Sequence, residues 1–144
     1  MEKILKEKLW DYIIHNNPDL MFKLQEEYKA ADYLNEKVKG VLALAEEMLS
    51  ESTPMEIVEE ICINVLTEDL KPSRFNYLCS LLHEKFEIVY IDYRSKGSLI
   101  YEVIQMMEYC KEIFDAIGFS KETEQNPVLK NAILELIGSY LNKK

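Results

Sequence analysis

Apolar residues recur at helical spacing along almost the whole chain, and this periodicity restricts the fold more than any other feature. In one stretch Phe75, Leu78, Cys79, Leu82 and Phe86 fall at positions i, i+3, i+4, i+7 and i+11, which is the spacing of one face of an α-helix. Glycine and proline number four each, and most of them lie between such segments, where they end helices. The sequence predicts an all-α bundle of about six helices.

The length of the chain favours a single domain. Its 144 residues are the commonest domain size, and a hydrophobic fraction of 48% is ordinary for a globular protein. We find no repeat of fixed period and no linker long enough to separate two domains. We therefore predict one helical domain over residues 1–144.

Local signals place the first two helices. The first is predicted over about residues 2–15. Asn17 followed by Pro18 is typical of an N-cap and the first helical position, since proline lacks only an N–H that would be unpaired there. A second helix is predicted over about residues 18–49, and Gly40 is a point where it can kink or break.

The third and fourth helices follow two further start signals. Thr53-Pro54-Met55-Glu56 has the sequence of a capping box, in which the Thr53 hydroxyl and the Glu56 carboxylate satisfy each other's backbone amides. The third helix after it carries an apolar set: Ile57, Val58, Ile61, Cys62, Val65 and Leu66. Lys71-Pro72-Ser73 then ends this segment and starts the fourth helix.

The segment of residues 86–98 is ambiguous. Its β-branched and aromatic residues favour a strand, but no second strand is apparent to pair with it, so we predict either continued helix or an irregular, extended connector. Ser98 is predicted to cap a fifth helix that Gly118 ends in the left-handed conformation. Asn126-Pro127 predicts the start of the last helix.

The chain is acidic, with 26 aspartates and glutamates against 17 lysines and arginines and a formal net charge of −9. Such a field repels phosphate backbones, so the charge disfavours a nucleic-acid partner. The basic residues are scattered, and no run resembles a polybasic membrane patch. No segment approaches the roughly 20 apolar residues of a membrane span, so we expect no membrane association.

The cysteines and the first residues indicate a compartment. Cys62, Cys79 and Cys110 are odd in number, far apart and surrounded by apolar residues, a pattern typical of buried thiols in a reducing environment. The first eight residues contain no apolar run suited to a signal peptide. We therefore expect a cytoplasmic protein.

Two residue pairs have part of the pattern of a catalytic or metal site. Cys79 and His83 lie four residues apart, on one helical face, and form the only local Cys/His pair. However, Cys79 continues an apolar stripe, which favours a core thiol. His83 and Glu87 resemble half of a zinc motif whose second histidine is missing. The sequence therefore favours a protein without catalytic residues, metal or cofactor.

One basic and aromatic segment is a candidate contact site. Lys71, Arg74 and Tyr77 lie at the predicted start of the fourth helix. The free amides of a helix start, together with an arginine, can bind an anion or a group on a partner protein. The alternative is an ordinary capped helix start whose Phe75 enters the core.

Several segments together resemble a known family: His15–Leu20, Pro54–Glu59, Asn64–Leu66, Leu70–Leu78, Cys110–Phe114 and Glu135–Leu141. The chain resembles, over about residues 9–141, a family of small all-helical proteins of unknown function that is common in Bacteroidetes and often encoded near mobile elements. The resemblance implies an all-helical fold and a bacterial setting. It implies no activity and no site residues.

Three functional hypotheses follow. The first is a non-enzymatic helical protein-interaction module, with a homodimer as one form of it, because nine tyrosines and six methionines suit protein interfaces. The second is an accessory or regulatory factor of a mobile element that binds protein or DNA. The third is an enzyme that uses Cys79 and His83.

Overall fold

The structure, a computed structural model, describes residues 1–143, and these contain ten α-helices, one short 3-10 helix and no strand. The predicted all-α class is confirmed, whereas the predicted number of about six helices is wrong. Contacts divide the chain into two compact units, Met1–Leu70 and Lys71–Lys144. Each unit has its own buried core, and a single domain over residues 1–144 stays a prediction.

The first unit consists of α1 (Glu2–Asn16), α2 (Pro18–Glu26), α3 (Ala30–Lys39), α4 (Leu42–Ser50), α5 (Met55–Leu66) and the 3-10 helix Glu68–Leu70. Helix α1 packs against α2, α3 and α5, and α4 packs against α5. Leu5, Leu9 and Ile13 are fully buried along α1, because a spacing of four places them on one face. They meet the rest of this core: Val38, Val41, Ala45, Val58, Cys62 and Leu66.

The predicted second helix is wrong, since residues 18–50 form three helices instead of one. The first break is at Tyr28, which has a left-handed φ of 55°, while the amide of Lys29 donates to the Leu24 carbonyl at 2.9 Å. The sequence gives no signal for the left-handed conformation at position 28, because that conformation is normally adopted by glycine and the residue here is a tyrosine. The second break is at Gly40, as the sequence indicated.

The predicted capping box at Thr53 is also wrong. Helix α5 begins at Met55, with Pro54 at the cap position and no side chain capping the helix. The physical reason is the turn before it: Ser52 has a φ of 64°, and the Thr53 amide donates to the Met48 carbonyl at 3.0 Å. Thr53 therefore belongs to the turn that closes α4.

The second unit consists of α6 (Arg74–Lys85), α7 (Glu87–Ser95), α8 (Leu99–Tyr109), α9 (Lys111–Ile117) and α10 (Pro127–Asn142). Helix α6 packs against α7 and α8, and α10 packs against α8 and α9. The buried side chains of its core are Phe75, Leu78, Leu81, Leu82, Val103, Met106, Cys110, Phe114, Leu129, Ile133, Ile137 and Tyr140.

The irregular or extended connector predicted near residues 86–98 is wrong over Glu87–Ser95, which forms α7, and the helical alternative is confirmed. Val89, Tyr90 and Tyr93 are partly buried against the core of the second unit. Their spacing of one and four residues lies on one helical face, so tertiary packing decides against the strand propensity of this segment.

For the last two predicted helices, two predictions are wrong and two boundaries are confirmed. Ser98 precedes α8, but its side chain does not cap the helix. The predicted fifth helix breaks at Cys110, which separates α8 from α9. Gly118 ends α9 with a left-handed φ of 74°, as predicted. The predicted cap at Asn126 is confirmed, because its side-chain oxygen accepts from the Val128 amide at 2.8 Å.

Candidate functional site

Helix α5 has a wide apolar surface, of which one part is buried and the adjoining part is exposed to solvent. Val58, Cys62 and Leu66 are buried in the core of the first unit. By contrast, Ile57, Ile61 and Val65 remain 44%, 38% and 50% exposed. We call these three side chains the α5 stripe. Because they are spaced by four residues, they form one line along the helix.

The α5 stripe follows from the sequence of α5 itself. Each buried residue directly follows a stripe residue in the chain, and one residue corresponds to a rotation of about 100° around the helix axis. From Ile57 to Leu66 the apolar arc therefore covers about half of the circumference. The core uses one part of this arc, and the other part remains in water.

A polar groove lies beside the stripe, between α1 and α5. Its volume is about 410 Å³, and its walls are formed by Lys8, Asp11, Tyr12, His15, Asn16, Glu56, Glu59, Glu60, Ile63 and Asn64. Four of these side chains are acidic. His15 Nδ1 is 3.6 Å from the Asp11 carboxylate and 2.8 Å from the Asp11 backbone oxygen. We call this feature the α1–α5 groove.

The charged side chains within residues 40–70 have one sign. Residues 40–70 contain eight acidic residues and no lysine, arginine or histidine: Glu46, Glu47, Glu51, Glu56, Glu59, Glu60, Glu68 and Asp69. Lys37 of α3 is ion-paired with Asp69, but most of the other acidic side chains are exposed. The exposed apolar side chains of α5 are therefore set in an acidic surface.

A second depression, between α2 and α3, has a balanced charge. Its volume is about 450 Å³. Asp32 and Glu36 contribute two negative charges to its wall, and Lys29 and Lys37 contribute two positive ones. The Lys37 ammonium lies 5.9 Å from the centre of the Tyr33 ring. This depression has no charge preference of the kind that the α1–α5 groove has.

The structure gives the predicted contact residues Lys71, Arg74 and Tyr77 different environments. Lys71 is exposed ahead of α6. Arg74 forms an ion pair with Asp115 at 2.8 Å, and its guanidinium lies 5.0 Å from the centre of the Phe114 ring. An anion at this helix start would therefore compete with a carboxylate that Arg74 already binds.

Tyr77 belongs to the aromatic part of the same core. Its ring packs edge-on against Phe114 at 5.8 Å and Phe119 at 5.1 Å. The hydroxyl is buried without a hydrogen-bond partner, and burial, with the nearby charge of Glu124, raises its pKa. Arg74 and Tyr77 thus share a contact with Phe114, and both take part in packing. Their role in binding an anion or a partner stays a prediction.

The cysteines have the environments of core thiols. Cys62 and Cys110 are buried, at 0% and 1% exposure. Burial raises the pKa of the Cys79 thiol to about 12 and that of Cys110 to about 11. These thiols are protonated at neutral pH, whereas a nucleophile must be a thiolate. The His83 ring packs against Tyr90, with 4.6 Å between the ring centres.

Over residues 1–143, no three His, Cys, Asp or Glu side chains converge to hold a metal ion. In that part of the chain, no helix is both long enough and apolar enough to cross a bilayer.

Comparison with family models, with curated proteins and with solved structures finds no match to this chain. The resemblance to a Bacteroidetes family and the role near mobile elements therefore stay predictions.

Two features of the sequence point to the α5 stripe, although helical periodicity alone does not distinguish its exposed side chains from the buried ones. Ile57, Ile61 and Val65 belong to the same periodic apolar set as Val58, Cys62 and Leu66. However, an apolar arc of about half the helix is wider than the stripe of roughly 100° with which a surface helix faces its core. The second signal is the lack of any cation in residues 40–70.

Proposed function

We propose that this chain is a non-enzymatic protein-interaction module that binds its partner through the α5 stripe. The observation that carries the proposal is the line of exposed Ile57, Ile61 and Val65. Single exposed apolar residues are normal on monomers, but aligned aliphatic side chains at helical spacing are the anchors used in helix-mediated recognition. A homodimer through the same stripe is one form of this proposal.

The chemistry of the titratable side chains supports the non-enzymatic part of the proposal. The thiols of Cys79 and Cys110 have raised pKa values because they are buried. His83 packs against an aromatic ring. These residues contribute to packing of the second unit, whereas the exposed apolar side chains of α5 make no comparable contribution to the first unit.

Site-specific photo-crosslinking in cells that express the full chain tests the proposal. A benzoylphenylalanine replaces Ile61 in one variant and the exposed Glu135 of α10 in the control. We expect position 61, and not position 135, to crosslink to one discrete protein or to a second copy of the chain. The proposal is wrong if position 61 gives no more product than position 135 and the purified chain sediments as a monomer.

A further inference from the structure

We infer that the partner of the α5 stripe is a cationic amphipathic helix of a different protein. This inference rests on the proposed function and deepens it by stating the chemistry of the partner. Three observations support it: the charge of the surface around the stripe, the position of the nearby carboxylates and the small size of the apolar area.

The first argument is the charge of the neighbouring groove. Asp11, Glu56, Glu59 and Glu60 contribute four negative charges to the wall of the α1–α5 groove, and Lys8 contributes one positive charge. The net formal charge of these five side chains is −3. Residues 40–70 supply no lysine or arginine that could offset it. A partner with lysine or arginine side chains is attracted to this surface, and an anionic one is repelled.

The second argument is the position of the carboxylates relative to the stripe. Glu60 lies three residues after Ile57, and Glu56 lies one turn before Glu60, so both are neighbours on the groove side of α5. Both side chains are exposed. A helix that places its apolar face on the α5 stripe therefore places one polar flank over the groove. Cationic residues on this flank would reach Glu56 and Glu60.

A second copy of the chain is a less favourable partner for the α5 stripe than a cationic helix. A two-fold symmetric contact applies the same patch of both chains to each other. It would bring Glu56 and Glu60 of one copy close to the same acidic surface of its partner, and like charges at an interface oppose association. A peptide helix with lysines avoids this repulsion.

The small apolar area also favours a peptide-sized partner. A standard protein interface buries about 800 Å² on each side. Three partly exposed aliphatic side chains supply only part of such an area. They do match the number of anchors that an amphipathic helix of four to five turns presents at i, i+3 or i+4, and i+7.

The test uses the full chain and three labelled 18-residue peptides in fluorescence anisotropy. The first peptide is an amphipathic helix with leucines on one face and lysines on the other. The second has glutamates in place of the lysines. The third has the composition of the first in a scrambled order that removes the apolar face. We expect the first peptide to bind at least tenfold tighter than either of the others, and its affinity to fall as salt is added.

Four variants locate the binding. Ile61→Asp removes the centre of the stripe, and Glu60→Lys reverses a charge beside it; each should weaken binding of the lysine peptide at least tenfold. The matched controls are Ile88→Asp, at an isoleucine of α7 that is 85% exposed, and Glu135→Lys on α10. Both controls should change the affinity less than twofold. All four positions are exposed, and circular dichroism checks that each variant folds.

The outcomes separate this inference from the proposed function. Equal binding of the lysine and glutamate peptides, equal effects of the Glu60 and Glu135 variants, or no binding of the lysine peptide would each overturn the inference. If the chain instead self-associates, and Ile61→Asp abolishes this, the inference is wrong but the interaction module stands. If no peptide binds, the chain is a monomer and position 61 gives no more crosslinked product than position 135, both fail.

Discussion

At the scale of single residues, the core of the second unit contains one carboxylate with a defined partner. Glu102 is 8% exposed, and the Tyr140 hydroxyl donates to its Oε2 at 3.1 Å. A buried polar group is destabilising unless hydrogen bonds compensate it. Tyr140 also packs its ring against Tyr109 at 5.6 Å, so it contributes both a hydrogen bond and apolar contact.

Tyr140→Phe is expected to lower the free energy of unfolding by about 1 to 3 kcal/mol, because it removes a hydrogen bond from a buried carboxyl group and keeps the ring. Tyr101→Phe is the matched control, since Tyr101 lies on the same helix as Glu102 and is 63% exposed. Urea denaturation of both variants measures the difference. Equal stabilities for the two variants would show that the hydrogen bond contributes nothing.

The residue scale is also where sequence reasoning about a site was weakest. Lys71, Arg74 and Tyr77 form a candidate contact site in the sequence because basic and aromatic residues meet at a helix start. The neighbours that decide their chemistry, Asp115 and Phe114, lie about 40 residues further along the chain. No pattern among neighbouring residues predicts contacts between positions so far apart in the chain. Basic and aromatic residues at a helix start therefore give the same local pattern whether they bind a partner or pack in the core.

At the scale of the helix, boundaries could be predicted where a side chain itself satisfies the helix end. Asn126 and Gly118 are examples, because a side-chain acceptor and a left-handed glycine act locally. The breaks at Tyr28 and Cys110 could not be predicted, since neither residue favours a break on its own. Tertiary packing of short helices imposes them, and periodicity continues across them almost unchanged.

Asn126→Ala tests the contribution of a predicted cap. Its side chain accepts from the Val128 amide at the start of α10, and loss of such a cap destabilises by about 1 kcal/mol. Asn131→Ala is the control, because Asn131 is exposed in the interior of the same helix, where alanine is stabilising by a few tenths of a kcal/mol. Thermal unfolding should therefore shift in opposite directions. A shift of the same sign in both variants would contradict the role of the cap.

At the scale of the whole molecule, burial raises the pKa of cysteines and tyrosines in both units. Burial raises the pKa of Tyr33 and Cys62 in the first unit and of Tyr77, Cys79 and Cys110 in the second. In each case the folded state holds the proton longer than the unfolded chain does. The stability of the whole chain is therefore linked to alkaline pH.

For Cys79, the raised pKa makes the folded state less stable as pH rises. In the unfolded chain a thiol loses its proton near pH 8.5 to 9, whereas in the folded state the pKa is about 12. Between these values the folded state binds more protons, so the free energy of unfolding falls as pH rises. The slope is at most about 1.4 kcal/mol per pH unit for each such thiol. Below about pH 8 this contribution is constant.

We expect urea midpoints to be constant between pH 7 and 8 and to fall from pH 9 to 11. Cys79→Ala should be less stable at every pH, because it removes buried volume, but its stability should fall less steeply with pH, since one titrating thiol is gone. Asn131→Ala is the control, because it alters an exposed residue that does not titrate and should leave the slope unchanged. If Cys79→Ala has the slope of the unaltered chain, the thiol titrates alike in both states. The alkaline loss would then come from the tyrosines and the other thiols.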